Sequence, residues 1–424
     1  MSLIVAKFGG TSVATTDRIK NVAQRLVRMK NEGNQVVAVV SAMGKTTDDL
    51  VSMCEALNPN PPAREMDRLL STGEQVSMTL LAMAIEALGV HAMSFTGRQA
   101  GIQTDGIHEK AKIVSVDNER IMKCIHDDGI AVVAGFQGID HNGDITTLGR
   151  GGSDTTAVAV AYGLGADECQ IFSDVVGVYT ADPRVCPHAH KLDEISYDDM
   201  LELSAAGSGV LQMRAVEFAR KYNVVIHSRS AFSEEPGTLV KETTMEKSVI
   251  TGIAHDTSEV KVTVRGVPDI TGVAGRLFQV LSASNVSVDM IIQGTAADGL
   301  ADISFTCPAK DVATAKAALD ELLPELGAQE VYVNENIAKV SLVGTGMKSS
   351  PGVAAKAFST LAEHEISILA ISTSPIRLSV VVGKDECAKA VQCLHTAFGM
   401  DVEEIFEENA LSPEEVEAKK NKGR

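Results

Sequence analysis

The chain has 424 residues, of which 45% are hydrophobic and 22% are charged. This length exceeds what a single hydrophobic core usually organises, and the composition is that of a folded protein, so we expect two or three domains. Its 56 acidic residues outnumber the 38 basic ones and give a net charge of -18. Such a charge disfavours a general binder of nucleic-acid backbones or of anionic membranes.

The start of the chain and its cysteines indicate a cytoplasmic protein. The apolar run that meets Lys7 is too short for a signal peptide, and no apolar stretch approaches the length of about 18 residues that a membrane helix needs. The seven cysteines are scattered without a CxxC pair. They therefore indicate reduced thiols rather than a disulfide framework or a zinc cluster.

The first half of the chain alternates short apolar runs with amphipathic stretches, the pattern of a largely parallel sheet covered by helices. Residues 3–8 predict a buried strand, the apolar positions between Ile19 and Val27 recur at helical spacing, and residues 36–41 predict the next strand. The fold class is therefore α/β. Further predicted elements are strands at 130–136 and 169–173 and helices at 154–162 and 211–222.

The second half contains a duplication. Gly272-Val273-Ala274 recurs as Gly352-Val353-Ala354, 80 residues later (352 minus 272). Each copy predicts a strand, a turn, a helix and two strands. A period of this length is too long for a solenoid, so we expect a duplicated α+β domain. The composition turns polar near residue 245, and the expected division is 1–245, 246–334, 335–410 and a charged flexible tail at 411–424.

Lys7, Gly9 and Gly10 end a predicted strand and precede an amphipathic helix. Glycines let the backbone approach a ligand, their N–H groups can line a phosphate, and Lys7 adds a positive charge. The alternative is a plain turn with a surface lysine. By itself this motif does not decide between them.

A second glycine-rich loop, Gly149 to Gly152, runs into the predicted helix at residue 154. Arg150 could bind a carboxylate with two parallel hydrogen bonds, and Ser153 and Asp154 lie at the start of the helix. The alternative is a capped turn. Two such loops in one α/β domain favour phosphate or carboxylate binding.

A polar loop at residues 173–184 follows another predicted strand and combines hydroxyl groups, a tyrosine and an arginine. It could surround a nucleotide, although composition alone favours a plain surface loop with a Pro-closed turn. The common nucleotide motifs are not present: Val39 occupies the position where a Walker A loop ending at Thr46 requires glycine, and no GxGxxG motif occurs near residues 149 or 163.

Taken in order, the segments 7–12, 40–43, 71–74, 135–138, 148–156 and 173–184 resemble the monofunctional aspartate kinases of the amino-acid kinase family, which carry a pair of ACT domains. The resemblance runs from Met1 to about residue 407. It implies a mainly parallel three-layer αβα kinase domain followed by two α+β, ferredoxin-like regulatory domains.

The implied reaction is ATP-dependent phosphorylation of the side-chain carboxylate of L-aspartate to 4-phospho-L-aspartate, the first step of lysine, threonine and methionine biosynthesis. The implied cofactors are ATP and Mg²⁺, the metal being held mainly by the phosphates rather than by protein ligands. The implied catalytic residues are Lys7, Arg150 and Asp154. In such enzymes the matching ATP-binding residues are Lys7, Phe8, Gly9, Gly10, Ser173, Asp174, Tyr179, Asp182 and Arg184.

The resemblance also implies a site for aspartate, in which Glu74 contacts the amino group and Arg150 a carboxylate. One position departs from some relatives, which carry a second lysine where this chain has Gly209. Arg184 or a helix N-terminus could replace that lysine. The implied aspartate-binding residues are Ser41, Thr47, Glu74, Arg150, Gly151, Gly152, Ser153 and Asp154.

The ACT domains imply feedback inhibition by lysine, threonine or both, and a homo-oligomer formed through these domains. Dimerisation without effector binding is the alternative. In relatives a separate regulatory subunit starts at the position of Met245. The implied effector-binding residues are Asp269, Gly272, Ala274, Asp289, Met290, Gln293, Met347, Ser349, Ser372 and Thr373.

Two other functions compete with this interpretation. One is a related kinase that acts on glutamate or acetylglutamate, which the ACT pair and the Ser71-Thr72-Gly73-Glu74 segment disfavour. The other is a catalytically idle amino-acid sensor, which Lys7 and Arg150 disfavour. Aspartate phosphorylation is therefore our expectation.

Overall fold

The computed structural model describes residues 2–242, 248–295 and 299–401. Met245 and the tail at 411–424 lie outside the described residues. Among the residues that are described, no helix is long and apolar enough to cross a membrane.

The first half is built from short strands that are mostly buried. They are β1 (Leu3–Phe8), β2 (Gln35–Val40), β3 (Ala92–Phe95), β4 (Ile102–Thr104), β5 (Ile113–Val116), β6 (Ile130–Ala134), β7 (Gln137–Ile139), β8 (Ile145–Thr147), β9 (Glu168–Ser173), β10 (Glu194–Ser196), β11 (Ile226–Ser230) and β12 (Thr238–Lys241).

Helices connect most of these strands. They are α1 (Thr16–Asn31), α2 (Thr46–Leu57), α3 (Ala63–Glu86), α4 (Glu119–His126), α5 (Gly152–Leu164), α6 (Tyr197–Ala205) and α7 (Met213–Tyr222).

The central sheet has eight strands in the order β10-β12-β11-β9-β1-β2-β6-β3. Every neighbouring pair is parallel except β11 with β12. A second sheet, β5-β4-β7-β8, has four short strands. Because β1, β2, β6 and β9 are parallel neighbours, the loops that follow them meet at one edge of the sheet, where ligands bind in open α/β sheets.

Helices cover both faces of the central sheet, because successive strand residues point to opposite sides. Val5 packs in one buried cluster with Val160 and Ala215, from α5 and α7. Ala6 packs in another with Leu26 and Leu81, from α1 and α3. The predicted three-layer α/β domain is therefore confirmed.

The predicted elements of this half are present with small changes at their ends. The predicted strand 130–136 stops at Ala134, since Phe136 adopts a left-handed conformation (φ 68°) that a regular strand excludes. The predicted helix 211–222 begins at Met213, after an extended Gln212. The predicted helix 154–162 extends over α5.

The second half contains two similar units. Its strands are β13 (Gly252–Asp256), β14 (Glu259–Pro268), β15 (Ile291–Thr295), β16 (Leu300–Pro308), β17 (Glu330–Asn334), β18 (Ile337–Val343), β19 (Ala370–Ser374) and β20 (Arg377–Gly383), and its helices are α8 (Val273–Ala283), α9 (Val312–Leu326), α10 (Val353–Glu363) and α11 (Cys387–Ala397).

Each unit has a four-stranded antiparallel sheet, in the orders β15-β16-β14-β17 and β13-β18-β20-β19. The pairing departs from the expected division in one respect. Strand β13 lies within the segment 246–334 expected to form the first unit, but it pairs with β18 in the second sheet. The first unit is therefore inserted between two neighbouring strands of the second.

A buried carboxylate joins the catalytic half to the second unit. Asp199, in the first turn of α6, is 0% exposed. Its Oδ2 atom accepts hydrogen bonds from Ser196 Oγ at 2.9 Å and Thr251 Oγ1 at 3.1 Å, and its Oδ1 atom accepts one from the backbone N–H of Thr345 at 2.9 Å. One side chain thus satisfies donors from three separate segments.

We predict that Asp199→Ala lowers the free energy of unfolding by about 1–3 kcal/mol, because it leaves buried donors without an acceptor. Chemical denaturation measures this change. The matched control is Asp198→Ala, which removes a half-exposed carboxylate paired with Arg220 and should have little effect. Equal effects of the two substitutions would contradict the role given to Asp199.

Candidate functional site

The loop after β1 forms the first wall of the site. Gly9 is extended, and a short 3-10 helix, Gly10–Val13, follows it. A Cβ atom at Gly10 would lie 2.8 Å from the carbonyl oxygen of Ala42, so only glycine allows the loop after β1 to pack on the loop after β2. The close packing of these loops narrows the site from this side.

Lys7 lies near the end of β1, and its ammonium Nζ is 2.6 Å from Asp154 Oδ1 in the first turn of α5. The two side chains are only 11% and 9% exposed. A pair of opposite charges this poorly hydrated holds both side chains in place more firmly than a surface pair would. The ion pair links the two glycine-rich loops that the sequence singled out.

The second glycine-rich loop is sharply bent. Gly149 and Gly151 have φ of 76° and 72°, which side chains other than glycine rarely adopt. A Cβ atom at Gly151 would lie 2.3 Å from the side chain of Gln212. The bend buries Ser153 and Asp154 and leaves Arg150 exposed at its tip, where it can reach a ligand.

Glu74, from α3, forms the opposite wall. It is 3% exposed, and its Oε1 atom accepts a hydrogen bond of 2.9 Å from the backbone N–H of Ala42. Its Oε2 atom is buried and has no hydrogen-bond partner among the described residues. Burial raises the pKa of Glu74 to about 7, against the opposing effect of the Ala42 hydrogen bond. This carboxylate is therefore poised to accept a cationic group.

These walls enclose a cleft of about 340 Å³. It brings together all the residues predicted to bind aspartate or to act in catalysis. The lining residues are Lys7, Gly10, Ser41, Ala42, Gly44, Thr47, Glu74, Phe136, Gly149, Arg150, Gly151, Gly152, Ser153, Asp154 and Gln212.

Sequence reasoning missed two side chains of the cleft, Phe136 and Gln212. Phe136 lies against the backbone of Gly152, whose added Cβ would meet its ring at 2.8 Å. Gln212 lies just before α7 and packs on Gly151. The sequence assigns neither residue a role, although Phe136 lies in the segment 135–138 that carries the family resemblance. The left-handed backbone of Phe136 is seen only in the structure.

The predicted nucleotide-binding residues of the 173–184 loop do not line this cleft. They follow β9, which lies beside β1, and the backbone N–H of Gly9 donates to the carbonyl oxygen of Phe172 at 3.2 Å. Phe8 is 0% exposed and stacks on Phe172 with ring centroids 4.7 Å apart. Its side chain belongs to the core, which leaves its backbone to contact a ligand.

Gly209 stands where some relatives carry a second lysine, and Arg184 is a candidate to replace that lysine. The Arg184 guanidinium is 88% exposed and binds Asp182 on its own loop, with Nη2 to Oδ2 at 2.7 Å. This contact lowers the pKa of Asp182 below its usual range, although burial opposes the shift. A Cβ atom at Gly209 would meet only open space. Neither residue lines the cleft, and Lys7 is the lysine that does.

The effector-binding candidates are distributed over the two regulatory units. Asp289 forms an ion pair with Lys339 of β18, which is 2% exposed and also binds Glu259 Oε1 at 2.8 Å. Met290 is buried in a cluster with Ile337 and Val381. Its side chain therefore packs between the units rather than facing solvent.

The remaining effector candidates are exposed or partly exposed, and the two copies match in detail. Gly272 and Gly352 precede α8 and α10 with φ of 99° and 96°. The other candidates are Asp269, Ala274, Gln293, Met347, Ser349, Ser372 and Thr373. Among the described residues, no group of three or more His, Cys, Asp or Glu side chains is placed to hold a metal ion.

The amino acid kinase family model matches residues 2–228, and an ACT domain model matches residues 260–323 and 340–398. An aspartokinase of Mycolicibacterium smegmatis is 50% identical over 407 residues, which cover 94% of this chain and 97% of that one. The duplication seen in the sequence therefore corresponds to ACT domains.

A crystal structure of E. coli aspartokinase III in complex with aspartate and ADP (R-state) has a TM-score of 0.76 with this chain at 25% identity, covering 93% of this chain and 99% of that one. A crystal structure of the same enzyme in complex with lysine and aspartate (T-state) gives the same values. The chain belongs to the amino acid kinase family and, within it, to the aspartokinases with ACT domains, enzymes whose phosphoryl acceptor is a carboxyl group.

Proposed function

We propose that the chain transfers the γ-phosphate of ATP to the side-chain carboxylate of L-aspartate, giving 4-phospho-L-aspartate, with residues 1–245 acting as the catalytic domain. The observation that carries the proposal is the composition of the cleft. The cleft contains two cationic side chains, the exposed Arg150 and the buried Lys7, and the carboxylate of Glu74. The Oε2 atom of Glu74 has no partner among the described residues. Aspartate carries two carboxylates and one ammonium group, which these charges complement.

Each charged group then has a distinct role. Arg150 binds one carboxylate of aspartate, for which a guanidinium offers two parallel N–H donors. Glu74 accepts the ammonium group. The other carboxylate lies toward Lys7, in a cleft whose remaining polar contacts come from Ser41, Thr47 and Ser153.

The reaction requires little proton transfer. The side-chain carboxylate of aspartate is ionised near neutral pH, so it attacks phosphorus without a general base. The barrier is lowered by aligning the reactants and by neutralising the negative charge of the phosphates. Asp154 holds Lys7 in position, and the Lys7 ammonium stabilises the charge on the transferring group.

ATP would bind as its magnesium complex, and the cation, held mainly by the phosphates, would supply positive charge that offsets theirs. The backbone of Gly9 and Gly10 lines the phosphates, and the 173–184 loop holds the nucleoside. The parallel pairing of β1 with β9 supports this arrangement, since it places the two loops side by side.

We further propose feedback inhibition by lysine, threonine or both through the ACT units, and a homo-oligomer assembled through them. The match of both units to the ACT model supports this, as does the lysine complex of the E. coli relative. The proposed product places the enzyme at the start of lysine, threonine and methionine biosynthesis. The seven free cysteines, six of them buried, support a reducing, cytoplasmic setting.

The test of the activity is ATP-dependent formation of an acyl phosphate from aspartate, trapped as a hydroxamate. Lys7→Ala should lower kcat by about 10²–10³, the usual loss when a group that stabilises transition-state charge is removed. The control Lys20→Ala removes an exposed lysine and should leave kcat unchanged. Turnover of glutamate or acetylglutamate in place of aspartate, or no turnover at all, would refute the proposal.

The pKa of Glu74 predicts a pH dependence of aspartate binding. Below about pH 7 the free enzyme holds Glu74 protonated, and a neutral carboxyl group cannot pair with the substrate ammonium group. The KM for aspartate should therefore rise as the pH falls from 8 to 6, by up to about tenfold per unit once Glu74 is protonated.

Glu74→Gln is the matching variant. Its KM for aspartate should be high and independent of pH over this range, whereas the KM for ATP serves as the internal reference. The same pH profile in wild type and variant would show that another group controls the binding.

The regulatory proposal makes a separate prediction. Asp269 is exposed at the end of β14, where its carboxylate can bind an effector ammonium group. Asp269→Ala should raise the lysine or threonine concentration for half-inhibition by about tenfold or more, without changing uninhibited turnover. The matched control is Asp320→Ala, on the exposed side of α9. Inhibition of normal potency in the variant would place the effector elsewhere.

A further inference from the structure

The first and last parts of the proposed nucleotide loop, residues 173–184, contact different parts of the chain. Its first part is held within the catalytic half: the backbone N–H of Val178 donates to Thr238 Oγ1 at 2.9 Å, and that of Leu192 donates to the carbonyl oxygen of Val178 at 2.8 Å. These contacts come from β12 and from the return of the loop itself. The return of the loop also holds Thr180, whose backbone N–H donates to the carbonyl oxygen of His190 at 2.9 Å.

Beyond Val178 the loop packs into the second ACT unit. Ala181 and Cys186 are 3% and 1% exposed and share one buried cluster with Ile253 and Leu394. The backbone N–H of Ile253 donates to the carbonyl oxygen of Thr180 at 2.7 Å. Residues of the nucleotide loop are thus part of the hydrophobic core of the regulatory unit.

A buried polar chain reinforces this contact. The side chain of His395, on α11, is 0% exposed, and its Nε2 atom lies 2.9 Å from Thr180 Oγ1. Its Nδ1 atom lies 2.7 Å from Asp401 Oδ1. A carboxylate only accepts hydrogen bonds, so Nδ1 donates to Asp401; in the neutral imidazole Nε2 then accepts the hydroxyl hydrogen of Thr180. The Thr180 oxygen in turn accepts the backbone N–H of His190 at 3.2 Å.

Thr180 stands between two proposed nucleotide-binding residues, Tyr179 and Asp182. A shift of Thr180 would move both of them, because Tyr179 is its neighbour in the chain and Asp182 lies two positions after it. Among the described residues, Thr180 is the loop residue to which the His395 side chain is hydrogen-bonded. His395 is therefore a candidate for a positioning residue of the phosphoryl-transfer reaction, located in the regulatory half of the chain.

We propose that His395, fixed by Asp401, positions the nucleotide loop through Thr180, so that the second ACT unit sets the affinity of the same chain for ATP. This inference rests on the proposed nucleotide role of the 173–184 loop. It assigns the ACT unit a part in substrate binding that holds without any effector.

The test is Thr180→Val, which keeps the shape of the side chain and removes the hydroxyl group. We expect the dissociation constant of ADP, measured by titration calorimetry without aspartate, and the KM for ATP to rise about three- to tenfold. The KM for aspartate should stay unchanged. Thr180→Ser, which retains the hydroxyl, should restore nucleotide affinity.

Three further variants separate positioning from general destabilisation. His395→Gln keeps an acceptor for Thr180 and should affect ADP less than His395→Ala. Ser379→Ala removes a buried hydroxyl pair with Ser341 (2.8 Å) in the sheet of the same unit, away from the loop, and should lower the thermal midpoint without changing ADP affinity.

Unchanged ADP affinity in Thr180→Val, or an equal rise in the KM values of both substrates, would overturn the inference. A loss of ADP affinity in Ser379→Ala as large as that in Thr180→Val would do the same. A wild-type chain that binds ADP but does not phosphorylate aspartate would instead refute the proposed function and leave the positioning role intact.

Discussion

The ion pair between Lys7 and Asp154 is the contact on which the site depends. Lys7 belongs to the central strand and Asp154 to the first turn of a helix on one face of the sheet, so the pair joins the two loops that form the cleft. Poor hydration makes each charge costly without the other. The pair also keeps the ammonium group oriented before substrates arrive, so that little reorganisation remains for the reaction itself.

The same principle operates at the contact between the catalytic and regulatory halves. Asp199 and His395 are both fully buried, and each joins segments from both halves through hydrogen bonds. Hydrophobic contacts have no preferred direction, so by themselves they would permit the catalytic and regulatory halves to shift relative to each other. Buried polar groups permit only arrangements in which each donor meets its acceptor, and they therefore make the relative placement of the halves specific.

Much of the fold was predictable because its signals are local. The spacing of Ile19, Val22 and Leu26 predicts α1, and the apolar run before Lys7 predicts β1. Gly10 and the glycines of the second loop are required by close approach or by positive φ, which explains why motif spacing located most of the cleft. The family resemblance supplied the roles of Glu74 and Arg150, which no periodicity indicates.

Other features depend on contacts between distant residues and could not be predicted. The family motif assigns Phe8 to the ATP-binding residues. In the structure its ring stacks on Phe172, which lies in a strand 164 positions later (172 minus 8). Met290 packs against strands of the other copy. Gln212 lines the cleft because its side chain packs on Gly151, from a distant part of the chain. Such positions are decided by tertiary packing, which overrides local pattern.

The insertion of one ACT unit between β13 and β18 determines where the chain can be divided. A fragment beginning before Gly252 contains every strand of both regulatory sheets. A fragment beginning at Ile337 lacks β13, and one long edge of β18 would then present unpaired N–H and C=O groups to other chains. An edge of that kind promotes aggregation. Because β13 precedes the first unit and pairs in the second, no single cut of the chain gives two fragments that each contain one complete unit.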